Sequence, residues 1–172
     1  MVVSKFSAIV LAIVMVLMYA VPISFAQTVT VGTTDKGSIT ITNATVDKDY
    51  TIYKLFDATV TEDGTGISYT LPAGKTISGD AADWFEVTTI GSVSTVTKKA
   101  ALTETVLKSD EFKERAEGFG TQVSTAKASE STVKFDKIPF GYNYVTSSLG
   151  TAISVDSTTP DANIIDKNQI PS

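Results

Sequence analysis

The stretch that decides the fold is Ser38-Ile39-Thr40-Ile41-Thr42 together with Tyr50-Thr51-Ile52-Tyr53-Lys54-Leu55-Phe56. Both runs are rich in β-branched and aromatic residues and alternate with a period of two, which is typical of β-strands. The residues between the two runs, Asn43 to Asp49, have the composition of a turn. Alternation in the second run predicts that four side chains share one face of its strand: Tyr50, Ile52, Lys54 and Phe56.

Similar short runs recur along the rest of the chain, separated by glycines and polar turns. They predict strands at Ile67 to Leu71, Phe85 to Ile90, Val93 to Thr97, Thr132 to Phe135, Tyr142 to Ser147, Thr151 to Val155 and Ala162 to Ile165. Gly91-Ser92 predicts a hairpin between two of these strands, and Pro139-Phe140-Gly141 a tight connection. Seven or more short strands favour a mainly β protein with a sandwich architecture.

One segment departs from the strand pattern and predicts a helical insert. Ala100 to Glu117 contains good helix formers and neither Gly nor Pro. Ser109 is placed to cap a helix start, and Gly118 to end one. Because the apolar periodicity is imperfect, the segment is compatible with one helix or with two short ones.

The composition excludes several kinds of function. The chain of 172 residues contains no Cys and no His, so it can build no Ser-His-Asp triad, no Cys-His pair and no His- or thiolate-bound metal site. Its net charge of -5 opposes binding to phosphate backbones, so we expect no nucleic acid as a partner. Lysine or carboxylate chemistry and oxygen-ligated calcium stay open. We expect no cofactor and a protein that is not an enzyme.

The first 26 residues have the features of a secretory signal peptide. Lys5 precedes an apolar run from Ala8 to Ala20, and small residues follow in Ser24-Phe25-Ala26. The run is short for a bilayer span, so we expect cleavage before Gln27 and secretion to the cell surface. Residues 27–166 then form one domain. Removal of Lys5 changes the net charge from -5 to -6.

Several of these segments resemble a known family. Gly37 to Ala44 and Tyr50 to Ala58 resemble the opening of the N-terminal domain of Gram-positive, sortase-assembled major pilins, a family of fimbrial isopeptide-forming proteins. Gly141 to Thr151 is similar to the near-terminal signature of that domain and is the most specific element. Thr158-Thr159-Pro160 and Asp166-Lys167-Asn168 are similar to its exit.

The resemblance implies an Ig-like, CnaB-like β-sandwich with the helical insert near residues 100–117. It implies a structural pilus (fimbrium) subunit of the cell wall that supports cell adhesion, with sortase and other pilin subunits as partners. Lys167 is the candidate sortase acceptor lysine, and residues 167–172 begin a linker to a following domain. The alternative is a non-polymerised adhesin domain that binds a host surface protein or glycan.

The resemblance also implies an internal Lys–Asn isopeptide bond. Such a bond needs a buried lysine whose neutral amine attacks the amide, with a carboxyl group to transfer protons. Lys54 is the candidate lysine. The candidate partners are Asn163 and Asn168, and the candidate acids are Glu130 and Asp136. In the other interpretation Lys54 lies at an edge and extends its amine to water.

Aromatic residues offer a test of the adhesin alternative. Trp84, Tyr142 and Tyr144 are the residue types that stack against sugars, but aromatics at alternating positions more often pack in a core. An adhesin domain predicts an exposed apolar or aromatic patch, with Trp84 as its candidate centre. A hydrolase that uses two carboxylates is a third possibility, although no pair of acids stands out.

Overall fold

The computed structural model describes residues 35–60, 65–79, 81–146, 151–156 and 159–166. The predicted signal peptide, Lys167, Asn168 and the predicted linker lie outside the described residues. Within these ranges, no helix has the length and apolar character needed to cross a membrane.

Strands account for most of the regular structure within the described residues. The strands are β1 (Asp35–Thr42), β2 (Asp49–Val60), β3 (Ile67–Thr70), β4 (Phe85–Ile90), β5 (Val93–Lys98), β6 (Thr121–Lys127), β7 (Thr132–Pro139), β8 (Gly141–Thr146), β9 (Thr151–Val155) and β10 (Asp161–Ile165). The helices are α1 (Ala81–Trp84), α2 (Glu104–Leu107) and α3 (Asp110–Phe119).

These strands form two sheets. The smaller sheet has the order β10-β1-β7, in which β1 runs parallel to β10 and antiparallel to β7. The larger sheet has the order β4-β5-β3-β2-β8-β9 and is antiparallel throughout, with β6 paired to the first half of β2. Because β2 pairs with β8 along one edge and with β6 and β3 along the other, it is the central strand of the larger sheet.

A core between the two sheets is built from the apolar residues that the strand alternation supplies. Its largest fully buried members include Ile39 and Ile41 of β1 and Tyr50 and Ile52 of β2, each with no exposed surface. Burial of each of these side chains stabilises the fold by roughly 1.5–3 kcal/mol. Both runs therefore contribute side chains to the core between the two sheets.

A second, aromatic core covers the outer face of the larger sheet and explains the helical insert. Phe112 of α3 has no exposed surface and packs against Trp84 at 5.1 Å and Tyr144 at 5.0 Å between ring centroids. The Tyr144 hydroxyl donates a hydrogen bond to the Leu107 carbonyl oxygen, 2.9 Å away. All six residues of β8 are buried, because one of its faces meets the sheet core and the other meets the helices.

Two short helices form the insert, as one of the two sequence-based possibilities predicted. The Ser109 hydroxyl accepts a hydrogen bond from the Phe112 amide at 3.1 Å, so Ser109 caps α3 as expected. The helix extends to Phe119 and Gly120 follows it, whereas the sequence favoured an end at Gly118.

The mainly β prediction with two sheets is confirmed, and the architecture is consistent with a β-sandwich. Two elements were not predicted from the sequence. The strand β6 has polar residues on both faces, so it lacks apolar alternation, and α1 is too short to show a helical period.

Candidate functional site

The candidate site begins with an irregularity in β2. Lys54 lies opposite Asn143 of β8, but Phe56 lies opposite Tyr142, so the register shifts by one residue between Lys54 and Phe56. This extra residue is a β-bulge, which changes the face on which the following side chains lie. As a result, Lys54 and Asp57 meet although they are three residues apart in a strand.

Lys54 and Asp57 form a largely buried ion pair. The Lys54 Nζ is 2.5 Å from Asp57 Oδ1, and the two side chains are 15% and 11% exposed. Removing either partner would leave a charge with little access to water, which costs several kcal/mol unless that charge is neutralised.

Asn143 lies beside this pair with an unused acceptor. Residues opposite each other in an antiparallel pair share a face, so the side chains of Lys54 and Asn143 point to the same side of the sheet. Asn143 is fully buried. Its Nδ2 donates to the Gly141 carbonyl oxygen at 3.1 Å, whereas its Oδ1 has no hydrogen-bond partner among the described residues. An unpaired buried carbonyl costs about 1–3 kcal/mol.

Gly141 makes room for the lysine. A Cβ atom at this position would lie 3.0 Å from both Cγ and Cδ of Lys54 and would also collide with the Phe56 carbonyl oxygen. The collision with the backbone oxygen restricts this position to glycine, and the lysine stem occupies the space beside it. We expect that any side chain here would displace Lys54 from Asp57 and Asn143.

Together these three groups have the functional groups that an amide-forming reaction would need: an amine, a carboxyl and an amide. In such a reaction, transfer of a proton from Lys54 Nζ to Asp57 would give the neutral amine that can act as a nucleophile. The amine can then attack Cγ of Asn143, so that the Nζ–Cγ bond forms and the Cγ–Nδ2 bond breaks. Asp57 relays the proton from the attacking nitrogen to the leaving nitrogen, which departs as ammonia.

The sequence-predicted partners of Lys54 lie elsewhere. Asn163 is exposed on β10, where it pairs with Thr40 in the smaller sheet. Glu130 is exposed between β6 and β7, and Asp136 is exposed and forms an ion pair with Lys134 at 2.9 Å. The structure brings Lys54 together with Asp57 and Asn143 instead. Asn168 lies outside the described residues.

Period-two alternation failed at this site for a specific reason. Regular alternation places Phe56 on the same face as Lys54 and Asp57 on the opposite face. The bulge between Lys54 and Phe56 reverses both assignments. Phe56 belongs to the aromatic core with Leu55, whereas Tyr50 and Ile52 belong to the core between the sheets. The one available signal was the run of two large apolar residues, Leu55-Phe56, inside an alternating strand.

A buried hydrogen bond fixes Asp166, the residue with which the described part of the chain ends. The Tyr50 hydroxyl donates to Asp166 Oδ2 at 2.7 Å and accepts from the Thr45 amide at 2.9 Å. The Asp166 amide donates to the Thr42 carbonyl oxygen at 2.8 Å. Burial raises the pKa of Tyr50, and its hydrogen bond to Asp166 raises it further. These contacts hold the residue that directly precedes Lys167.

The core interpretation of Trp84, Tyr142 and Tyr144 is confirmed, and the exposed patch that the adhesin alternative predicted around Trp84 is wrong. Trp84 and Tyr142 are each 6% exposed and Tyr144 is 1% exposed, because all three pack in the aromatic core. Within the described ranges, no group of three or more acidic side chains is arranged to hold a metal ion.

No protein-family model, no curated protein and no solved structure matches this chain.

Proposed function

We propose that the chain is a structural subunit of a cell-surface pilus that sortase polymerises, and that an amide bond between Lys54 and Asn143 closes its Ig-like domain. The observation that carries this proposal is the buried Lys54–Asp57 ion pair beside the buried amide of Asn143. An exported chain without cysteine has no disulfide to stabilise it, and an amide bond is a covalent alternative. A covalent bond between two strands resists tension, which is the load that a fibre subunit carries.

The strands next to the two ends of the domain support a load-bearing role. β1 and β10 are parallel neighbours, and their register runs from Ser38 opposite Asp161 to Thr42 opposite Ile165. Tension applied to the start of β1 and to the end of β10 slides these strands along each other. The evenly spaced hydrogen bonds of a parallel pair are then loaded together, not one after another.

The buried contacts of Asp166 support the role of Lys167 as the sortase acceptor. A sortase needs a reachable amine at a defined position, and Tyr50 fixes the preceding residue by a 2.7 Å hydrogen bond to its carboxylate. The enzyme, the neighbouring pilin subunits and the cell wall are the partners in this proposal, and adhesion is a property of the assembled fibre.

Sortase ligation tests this function. The full chain is incubated with a pilus sortase and a labelled peptide that carries the sorting-signal threonine. We expect label on the wild-type chain and on the Lys48→Ala control, which removes a lysine that is exposed in the structure. We expect none on Lys167→Ala. Equal labelling of both variants would refute Lys167 as the acceptor, and no labelling of any lysine would refute the pilus proposal.

A further inference from the structure

The larger sheet has an open edge at β4. Among the described residues, β4 pairs with β5 and with no other strand. Proteins usually protect such an edge with charges, proline or a bulge, because its free N–H and C=O groups bind other strands. β4 pairs with β5 in a continuous register of six residue pairs, and its last four residues, Val87 to Ile90, contain no charge and no proline.

The hairpin turn shows which backbone groups point outward. Gly91 has a φ of 62° and, with Ser92, forms the two-residue turn of a hairpin. The residues that flank such a turn, Ile90 and Val93, exchange hydrogen bonds with each other. Since hydrogen-bonded pairs alternate along an antiparallel ladder, the N–H and C=O groups of Val87 and Thr89 point away from β5.

Charge favours a second copy of this chain as the occupant of the edge. The whole chain has a net charge of -5, so copies repel each other over most of their surfaces. Residues 87–97, which form most of the hairpin, contain no charged side chain. Val87, Ile90 and Val93 are 36%, 77% and 45% exposed, and a contact here would remove apolar surface from water.

We infer that β4 pairs antiparallel with β4 of a second copy about a two-fold axis at Thr88. In this register Val87 lies opposite Thr89 of the second copy, so the outward N–H and C=O groups of both strands meet. Glu86 lies opposite Ile90, so no like charges are paired. Thr88 lies opposite Thr88 of the second copy in a non-hydrogen-bonded pair, and Thr–Thr pairs across strands are favourable.

This contact is weak between free molecules and effective between tethered ones. Five paired residues per copy form a smaller contact than the standard interface of roughly 1,600 Å². Chains held side by side on one surface meet at an effective concentration in the millimolar range, which favours weak contacts. The inference goes beyond the proposed function, since it depends neither on sortase nor on the amide bond.

Disulfide trapping tests the register, because the natural chain has no cysteine to interfere. Thr88→Cys places two thiols across the axis with Cβ atoms about 4.5–5.5 Å apart, close enough to bond after a small adjustment. Glu86→Cys is the matched control, because residue 86 lies on the same strand face as residue 88. In the proposed register, position 86 of one copy and position 86 of the other are four residues apart along the strands, roughly 13 Å, which is too far for a disulfide.

We expect disulfide-linked dimers of the full chain to form at least about tenfold faster for Thr88→Cys than for Glu86→Cys under mild oxidation. Equal rates would show random collision and overturn the inference. A second test uses Thr88→Lys, which places two ammonium groups across the axis; we expect it to abolish the association that analytical ultracentrifugation measures for the wild-type chain. Association lost equally in Thr132→Lys, an exposed strand position in the smaller sheet, would also overturn it.

Discussion

Replacing Asn143 by alanine removes the acceptor of the proposed amide bond and should lengthen the chain when it is pulled apart. Lys54 and Asn143 enclose about 90 residues, and an extended chain spans about 3.3–3.6 Å per residue. With the bond intact, force can extend only the segments outside this loop. Without it, the unfolded domain gains roughly 300 Å of additional length.

Single-molecule force spectroscopy measures this length directly, with the domain held between two handles of known extension. We expect a short unfolding step for the wild-type protein and a step about 300 Å longer for Asn143→Ala. Asn163→Ala is the matched control, since it removes an exposed asparagine of β10 and should leave the short step unchanged. Equal steps for the wild type and Asn143→Ala would refute the reasoning. A long step for Asn163→Ala alone would restore the partner that the sequence suggested.

Three further predictions follow from the buried groups. Lys54→Met should lower the free energy of unfolding by at least about 4 kcal/mol through loss of the closed loop, measured by denaturant titration. Tyr50→Phe should cost about 1–3 kcal/mol in the same assay, because it leaves the buried Asp166 carboxylate without its 2.7 Å donor; no loss would contradict this role. Burial raises the pKa of Tyr142 and of Tyr144 to about 12, so their contribution to stability is complete below pH 10 and is lost as the pH rises towards 12. Tyrosinate absorbance should therefore show at least two tyrosines that ionise well above pH 10, and ionisation of all tyrosines near pH 10 would contradict the prediction.

Much of the fold was predictable because its signals are local. The alternation in Ser38 to Thr42 and in Tyr50 to Phe56 corresponds to β1 and to part of β2, and Gly91-Ser92 marks the turn between β4 and β5. The polar strand Thr121–Lys127 was not predictable, because its position depends on pairing with β2 and not on its own pattern.

The candidate site was predictable only in part. The family resemblance led to Lys54 as the candidate lysine of an internal bond, and the structure places it in a largely buried ion pair. Its neighbours Asp57 and Asn143 were not found, since one depends on a bulge and the other on the pairing of β2 with β8. Neither feature has a reliable signature in a single sequence. Lys167 and the internal bond therefore remain proposals for experiment.

Peptide mapping by mass spectrometry tests the central claim most directly. After proteolysis of the protein isolated from its natural source, we expect one branched species that joins the peptide of Lys54 to the peptide of Asn143. Its mass should equal the sum of the two peptides less one ammonia, and it should be absent from Asp57→Ala. Recovery of the two peptides as separate species at their full sequence masses would contradict the account.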